Sequence, residues 1–148
     1  MQSRTPTKQQ AFEILLLENN LRDAELVMQA LKESNIHKNI LHVSEKNGFI
    51  PCIDDAVTCY GYLPFRLIIL NLEPPSFSEI ELLNIIRANP ATSSVPVILT
   101  SSVAPAHLIF QSYRLGINSF LVKPSEIASL ASDLQHLEVH KLLEDTLN

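Results

Sequence analysis

FRLIILNLEPP, residues 65–75, sets the frame for the whole chain. From Phe65 to Leu70 the side chains are almost all apolar, with no polar alternation. That pattern predicts a strand buried on both faces, because a half-exposed strand alternates apolar and polar residues. Pro74 and Pro75 then force a loop. Doubly buried strands belong to parallel sheets covered by helices on both sides. In such sheets chemistry sits beyond the carboxyl ends of the strands, which here means Asn71, Leu72 and Glu73.

The same alternation runs outward in both directions. Downstream, Ser78 can cap a helix whose stripe is Ile80, Leu82, Leu83, Ile85 and Ile86, ended by Asn89 and Pro90. Val95–Thr100 reads as a strand. Pro105 opens a helix that runs to Leu115 and stops at Gly116. Ser119–Val122 is the last strand, broken by Lys123 and Pro124, and Ser125 with Glu126 begins a helix carrying Ile127, Leu130, Leu134 and Leu137. Upstream, Phe12–Leu17 is a buried strand, and Leu21, Ala24, Val27, Met28 and Leu31 recur at helical spacing. Ile40–Val43 is a weaker strand, Asn47–Gly48 a turn, and Ile50–Tyr60 a helix with Pro51 in its first turn. The order is β-α five times, and right-handed crossovers leave few topologies.

Composition limits the function. A chain of 148 residues makes one domain the default, and 46% hydrophobic with 18% charged residues is the balance of a soluble globular protein. A net charge of −5 without a basic run argues against nucleic acid. No apolar run is long enough to cross a bilayer, and MQSRTPTKQQ lacks the apolar stretch of a secretory signal, so a cytoplasmic protein is expected. Residues 1–10 read as a flexible tail. Cys52 and Cys59 form neither a redox pair nor half a zinc site, and are expected to be two buried thiols.

The segments ILLLENN, LIILNLEPP, PVILTSS and GINSFLVKP each end a predicted strand. Together, in this order, they resemble the signature blocks of receiver domains of two-component response regulators, over about residues 11–138. The resemblance is nearest to small stand-alone receivers that partner bacterial phytochromes. It implies a flavodoxin-like (βα)5 fold: a five-stranded parallel sheet in the order 2-1-3-4-5, with helices on both faces. In the family an acid pair after the first strand and an aspartate ending the third hold Mg²⁺, and that aspartate accepts the phosphoryl group. By the same resemblance Thr100 stands for the hydroxyl that senses the phosphoryl group. Phe120 takes the place of the switching aromatic, and Lys123 that of the bridging lysine, before a cis Lys123–Pro124 bond.

The chain departs from that pattern. Glu18 keeps the first acid, but Asn19 replaces the second and Asn71 stands at the acceptor position. A carboxamide is a neutral, poor nucleophile and donates hydrogen bonds where a metal wants anionic oxygen. No Mg²⁺ is therefore expected, or weak binding at most, with Glu73 as the only acid that could swing in to help Glu18. A contact between Glu18 and Lys123 is expected in the absence of metal. The chain reads as a non-enzymatic, phosphorylation-independent interaction module in two-component signalling. Its expected partner is a histidine kinase or another signalling protein. The competing readings are a phosphotransfer receiver using an unorthodox acceptor such as Glu73, and a small-molecule sensor. Of the acids Asp23, Asp54, Asp55 and Glu73, only Glu73 is expected to face the crevice.

Three further features complete the reading. In the helix after Pro105, Ala106, Ile109, Phe110 and Tyr113 are assigned to the core, leaving Leu108 and Leu115 on another face, as scattered surface leucines or a partner surface. Past residue 138 a helical extension over 139–148 carries Val139, Leu142, Leu143 and Leu147 out of phase with the preceding stripe. Leu142 and Leu143 there are expected to pack in a homodimer. His136, His140 and Glu144 share helical spacing, but a solvated helix face is favoured over a metal site.

Overall fold

A computed structural model of the chain describes residues 13–33, 39–60, 65–72 and 77–136, with the backbone alone at some helical positions, Ser78 and Cys59 among them. The element order is β1 (Ile14–Leu17), α1 (Leu21–Glu33), β2 (Ile40–Val43), α2 (Phe49–Tyr60), β3 (Leu67–Asn71), α3 (Phe77–Ala88), β4 (Val97–Ser101), α4 (Ala106–Arg114), β5 (Ser119–Val122) and α5 (Leu130–His136). Short 3-10 turns over Lys46–Gly48 and Ile127–Ser129 lead into α2 and α5. The five strands are all parallel, in the order β2-β1-β3-β4-β5. This is the flavodoxin-like topology expected from the sequence.

Every residue of β1, β3 and β4 is buried, which is why these strands lack polar alternation. Successive side chains still point to opposite faces. Leu15, Leu17, Ile68, Leu70, Val97 and Leu99 meet Phe49 and Ile53 of α2, Leu83 and Ile86 of α3, and Leu108 of α4. Ile14, Leu16, Leu67, Ile69 and Ile98 meet Ala24, Val27 and Leu31 of α1, with Leu130 and Leu134 of α5. The sheet thus has α1 and α5 on one side and α2, α3 and α4 on the other.

Several expectations need correction. α3 begins at Phe77, so Ser78 lies inside the helix rather than capping it. Ser125 and Glu126 do not start an α-helix. Glu126 instead accepts the Val122 N–H through Oε1 at 2.8 Å, and regular helix begins only at Leu130. Leu21 and Ile85, both assigned to apolar stripes, are exposed. The largest error is the phase of α4. Leu108 is buried in the core and so is no part of a surface, and Leu115 is half-buried against the same core, whereas Phe110 is 66% exposed and Tyr113 is exposed too. The inward face runs through Leu108, Ser112 and Leu115, at helical spacings of four and three. Ser112 is fully buried and donates its hydroxyl to the Leu108 carbonyl at 2.8 Å, so its polarity is satisfied within the helix.

Arg87, at the end of α3, fastens the amino-terminal edge of the sheet. Its guanidinium donates to the carbonyls of Thr92, Ser93 and Val95 before β4, and of Leu115 and Gly116 before β5, at 2.8–3.5 Å. Burial pushes its pKa down. Gly116 turns the chain there with φ +84°, and a Cβ on it would lie 3.4 Å from Arg87 Nε. No helix among the described residues is long and apolar enough to cross a membrane. The tail over 1–10 and the extension over 139–148, with Leu142 and Leu143, lie outside the described residues.

Candidate functional site

The carboxyl ends of β1, β3, β4 and β5 open onto a crevice with an unusual share of buried polar groups: Glu18, Asn71, Thr100, Ser101 and Lys123. Glu18 directly follows β1. Its N–H donates to the Val43 carbonyl at 3.0 Å, and its own carbonyl lies 2.8 Å from His42 Nε2 on β2. The backbone is therefore held on the β2 side. The side chain is fully buried, and Oε2 accepts the Asn20 N–H at 3.0 Å.

Asn20 in turn starts α1. Its carbonyl accepts the Ala24 N–H at 2.9 Å, and its side-chain Oδ1 accepts the Asp23 N–H at 3.1 Å, the arrangement of an N-cap. This cap sets Asp23 in the first helical turn, where the helix dipole favours a carboxylate. It also brings Asp23 over the crevice. Lys123, one residue past β5, places Nζ 2.9 Å from Glu18 Oε1 and 2.9 Å from Asp23 Oδ2. Its side chain is 4% exposed. The expected contact between Glu18 and Lys123 is thus direct, and it joins the end of β1, the start of α1 and the end of β5. The Lys123–Pro124 peptide is cis.

Asn71 is the last residue of β3, in register with Thr100 on β4. Its Nδ2 donates to Asn19 Oδ1 at 3.2 Å, while its buried Oδ1 has no hydrogen-bond partner among the described residues. Thr100 is buried beside it, and Ser101 donates its hydroxyl to the Leu72 carbonyl at 3.3 Å. Phe120 lies on β5 in register with Leu99 and belongs to the core on the α2–α3–α4 side.

Glu18, Asn19, Asn71, Thr100 and Lys123 therefore gather at one edge of the sheet, through one ion pair, one amide–amide bond and one strand register. Asp23 is the residue that sequence reasoning placed wrongly: it faces the crevice. The signal for it was Asn20 three residues earlier, since a cap at the end of β1 fixes the first turn of α1 over that strand. Glu73 lies outside the described residues, as do His140 and Glu144 and the side chain of His136. Among the described residues no group of three or more His, Cys, Asp or Glu could hold a metal ion. Cys52 is half-buried rather than buried, and desolvation, with Asp55 nearby, pushes its thiol pKa up. The Cys59 side chain is outside the described residues.

No protein-family model matches the chain. Response regulator Rcp1 of Synechocystis sp. is 26% identical over 125 residues, covering 84% of this chain and 85% of that protein. A signal receiver domain from Clostridium thermocellum superposes with a TM-score of 0.73 at 19% identity, over 88% of this chain and 98% of that one. The bacteriophytochrome response regulator RtBRR superposes with a TM-score of 0.73 at 24% identity, over 93% of this chain and 82% of that one. The chain is thus related to response regulators of two-component signalling and carries the fold of their receiver domains.

Proposed function

We propose that this chain is a receiver-like protein of two-component signalling that acts as a phosphorylation-independent interaction module in the cytoplasm, without enzymatic activity. The observation that carries this reading is the buried carboxamide of Asn71 at the end of β3, bonded to a second carboxamide, Asn19. An amide there offers neither a nucleophile nor the anionic oxygen of an acyl phosphate. The receiver fold implies Mg²⁺, and the donors present do not fit it. Two neutral amides are bonded to each other, and Glu18 is already opposed by an ammonium. Its partner is a protein of the same signalling class, such as a histidine kinase, in keeping with the relation to response regulators. A dimer formed through 139–148 belongs to this reading.

The test is incubation with acetyl phosphate and Mg²⁺, followed by intact mass. The wild-type chain should remain unmodified, and Asn19→Asp with Asn71→Asp should acquire a phosphoryl group. A stable adduct on the wild type overturns the reading, and its loss in Glu73→Gln would identify Glu73 as the acceptor.

A further inference from the structure

We infer that Lys123 is the crevice's own cation: its ammonium occupies the place between Glu18 and Asp23 that a divalent metal would otherwise take, and so keeps metals out. The inference rests on reading the crevice as metal-free and explains how that state is maintained. Three observations carry it. First, Glu18 is fully buried, and a buried carboxylate needs a counter-charge. Second, the ammonium lies 2.9 Å from oxygens of two carboxylates on two different elements, as a shared cation does. Third, the ammonium is itself almost fully buried, so it is held in the crevice rather than reaching into solvent. Carboxylate oxygens that both lie 2.9 Å from one nitrogen already converge on one point, and need to close by about 0.3–0.9 Å to reach the distances of about 2.0–2.6 Å typical of Ca²⁺ and Mg²⁺. The tether makes the ammonium a competitor that mass action cannot dilute.

Asp23 is essential to this arrangement. With Glu18 alone, removal of the lysine would leave one carboxylate, which is a poor cation site. With Asp23 at the start of α1, it leaves two converging carboxylates. The two amides, Asn19 and Asn71, are bonded to each other and take no part in the pair.

The experiment compares wild type, Lys123→Met and the double variant Lys123→Met with Glu18→Gln. Each is titrated with Mn²⁺ by calorimetry and melted with and without it. Met keeps most of the stem volume while removing the charge. Wild type should give no saturable heat at millimolar Mn²⁺ and no change in Tm. Lys123→Met should melt lower without metal, bind Mn²⁺ at least about tenfold tighter than wild type and regain stability on binding. The double variant should lose that response. Should Lys123→Met fail to fold without metal, Mn²⁺ should restore folding and the double variant should fold unaided. Lys123→Met indifferent to Mn²⁺, wild type binding as tightly as the variant, or a double variant that still responds would each overturn the inference. A phosphoryl adduct on the wild type would instead sink the proposed function and leave these titrations unaffected.

Discussion

Lys123 at the carboxyl edge of the sheet and Arg87 at the amino edge are both long cations taken from water, the first almost wholly and the second in part, but their partners differ in kind. Lys123 faces two carboxylates, Glu18 and Asp23. Arg87 faces five backbone carbonyls. The ammonium is a compact point charge and is matched by charge. The guanidinium is a rigid fork with five N–H donors and is matched by geometry. Carbonyl dipoles recover only part of the hydration a charge loses, which is why burial pushes the Arg87 pKa down. One edge is therefore an electrostatic device, sensitive to any change of charge, and the other a mechanical fastening of two loops.

The largest effect should follow from Lys123→Met. Removing one partner of a buried ion pair leaves the other uncompensated and costs about 3–5 kcal/mol, read as a shift in urea unfolding. Arg87→Met should cost less, about 2–3 kcal/mol, because Ser93 and Gly116 are exposed and their carbonyls can turn to water. Arg87→Lys should recover less than half of that, since three donors cannot serve five acceptors. Full recovery by Lys would show that charge, and not the fork, is what matters at this edge. Asp23→Asn should cost only about 1 kcal/mol, because Glu18 still opposes the ammonium and Asp23 is partly solvated. A loss equal to that of Lys123→Met would make Asp23 the principal counter-ion instead of Glu18.

The strands were legible from sequence because Leu67–Leu70 and Val97–Leu99 are buried on both faces and show it as unbroken apolar runs. Handedness then left few topologies, and the strand order came from the resemblance of the strand-end segments to receiver domains. Helix phase was harder to read. In α4 a serine faces inward and a phenylalanine outward, so counting apolar residues placed Phe110 and Tyr113 wrongly, although Ile109 does pack against the core. Ser112 hides its hydroxyl on its own backbone, and Arg114 sits 6.0 Å over the exposed Phe110 ring. Neither compensation is visible in composition. In the crevice, residues immediately following strands were found, whereas Asp23 reaches the crevice only through the start of a helix. Its role depends on the cap at Asn20, a three-dimensional relation that the sequence encodes only locally.

Gly116 carries one further consequence. Its positive φ alone would strain any other residue, and the space a methyl group would fill is bordered by Arg87. Replacing that hydrogen would strain the turn that holds the Leu115 and Gly116 carbonyls toward the guanidinium, so the turn and the clasp depend on one φ angle. A position with no side chain, remote from the crevice, is therefore among those least free to drift as the sequence diverges.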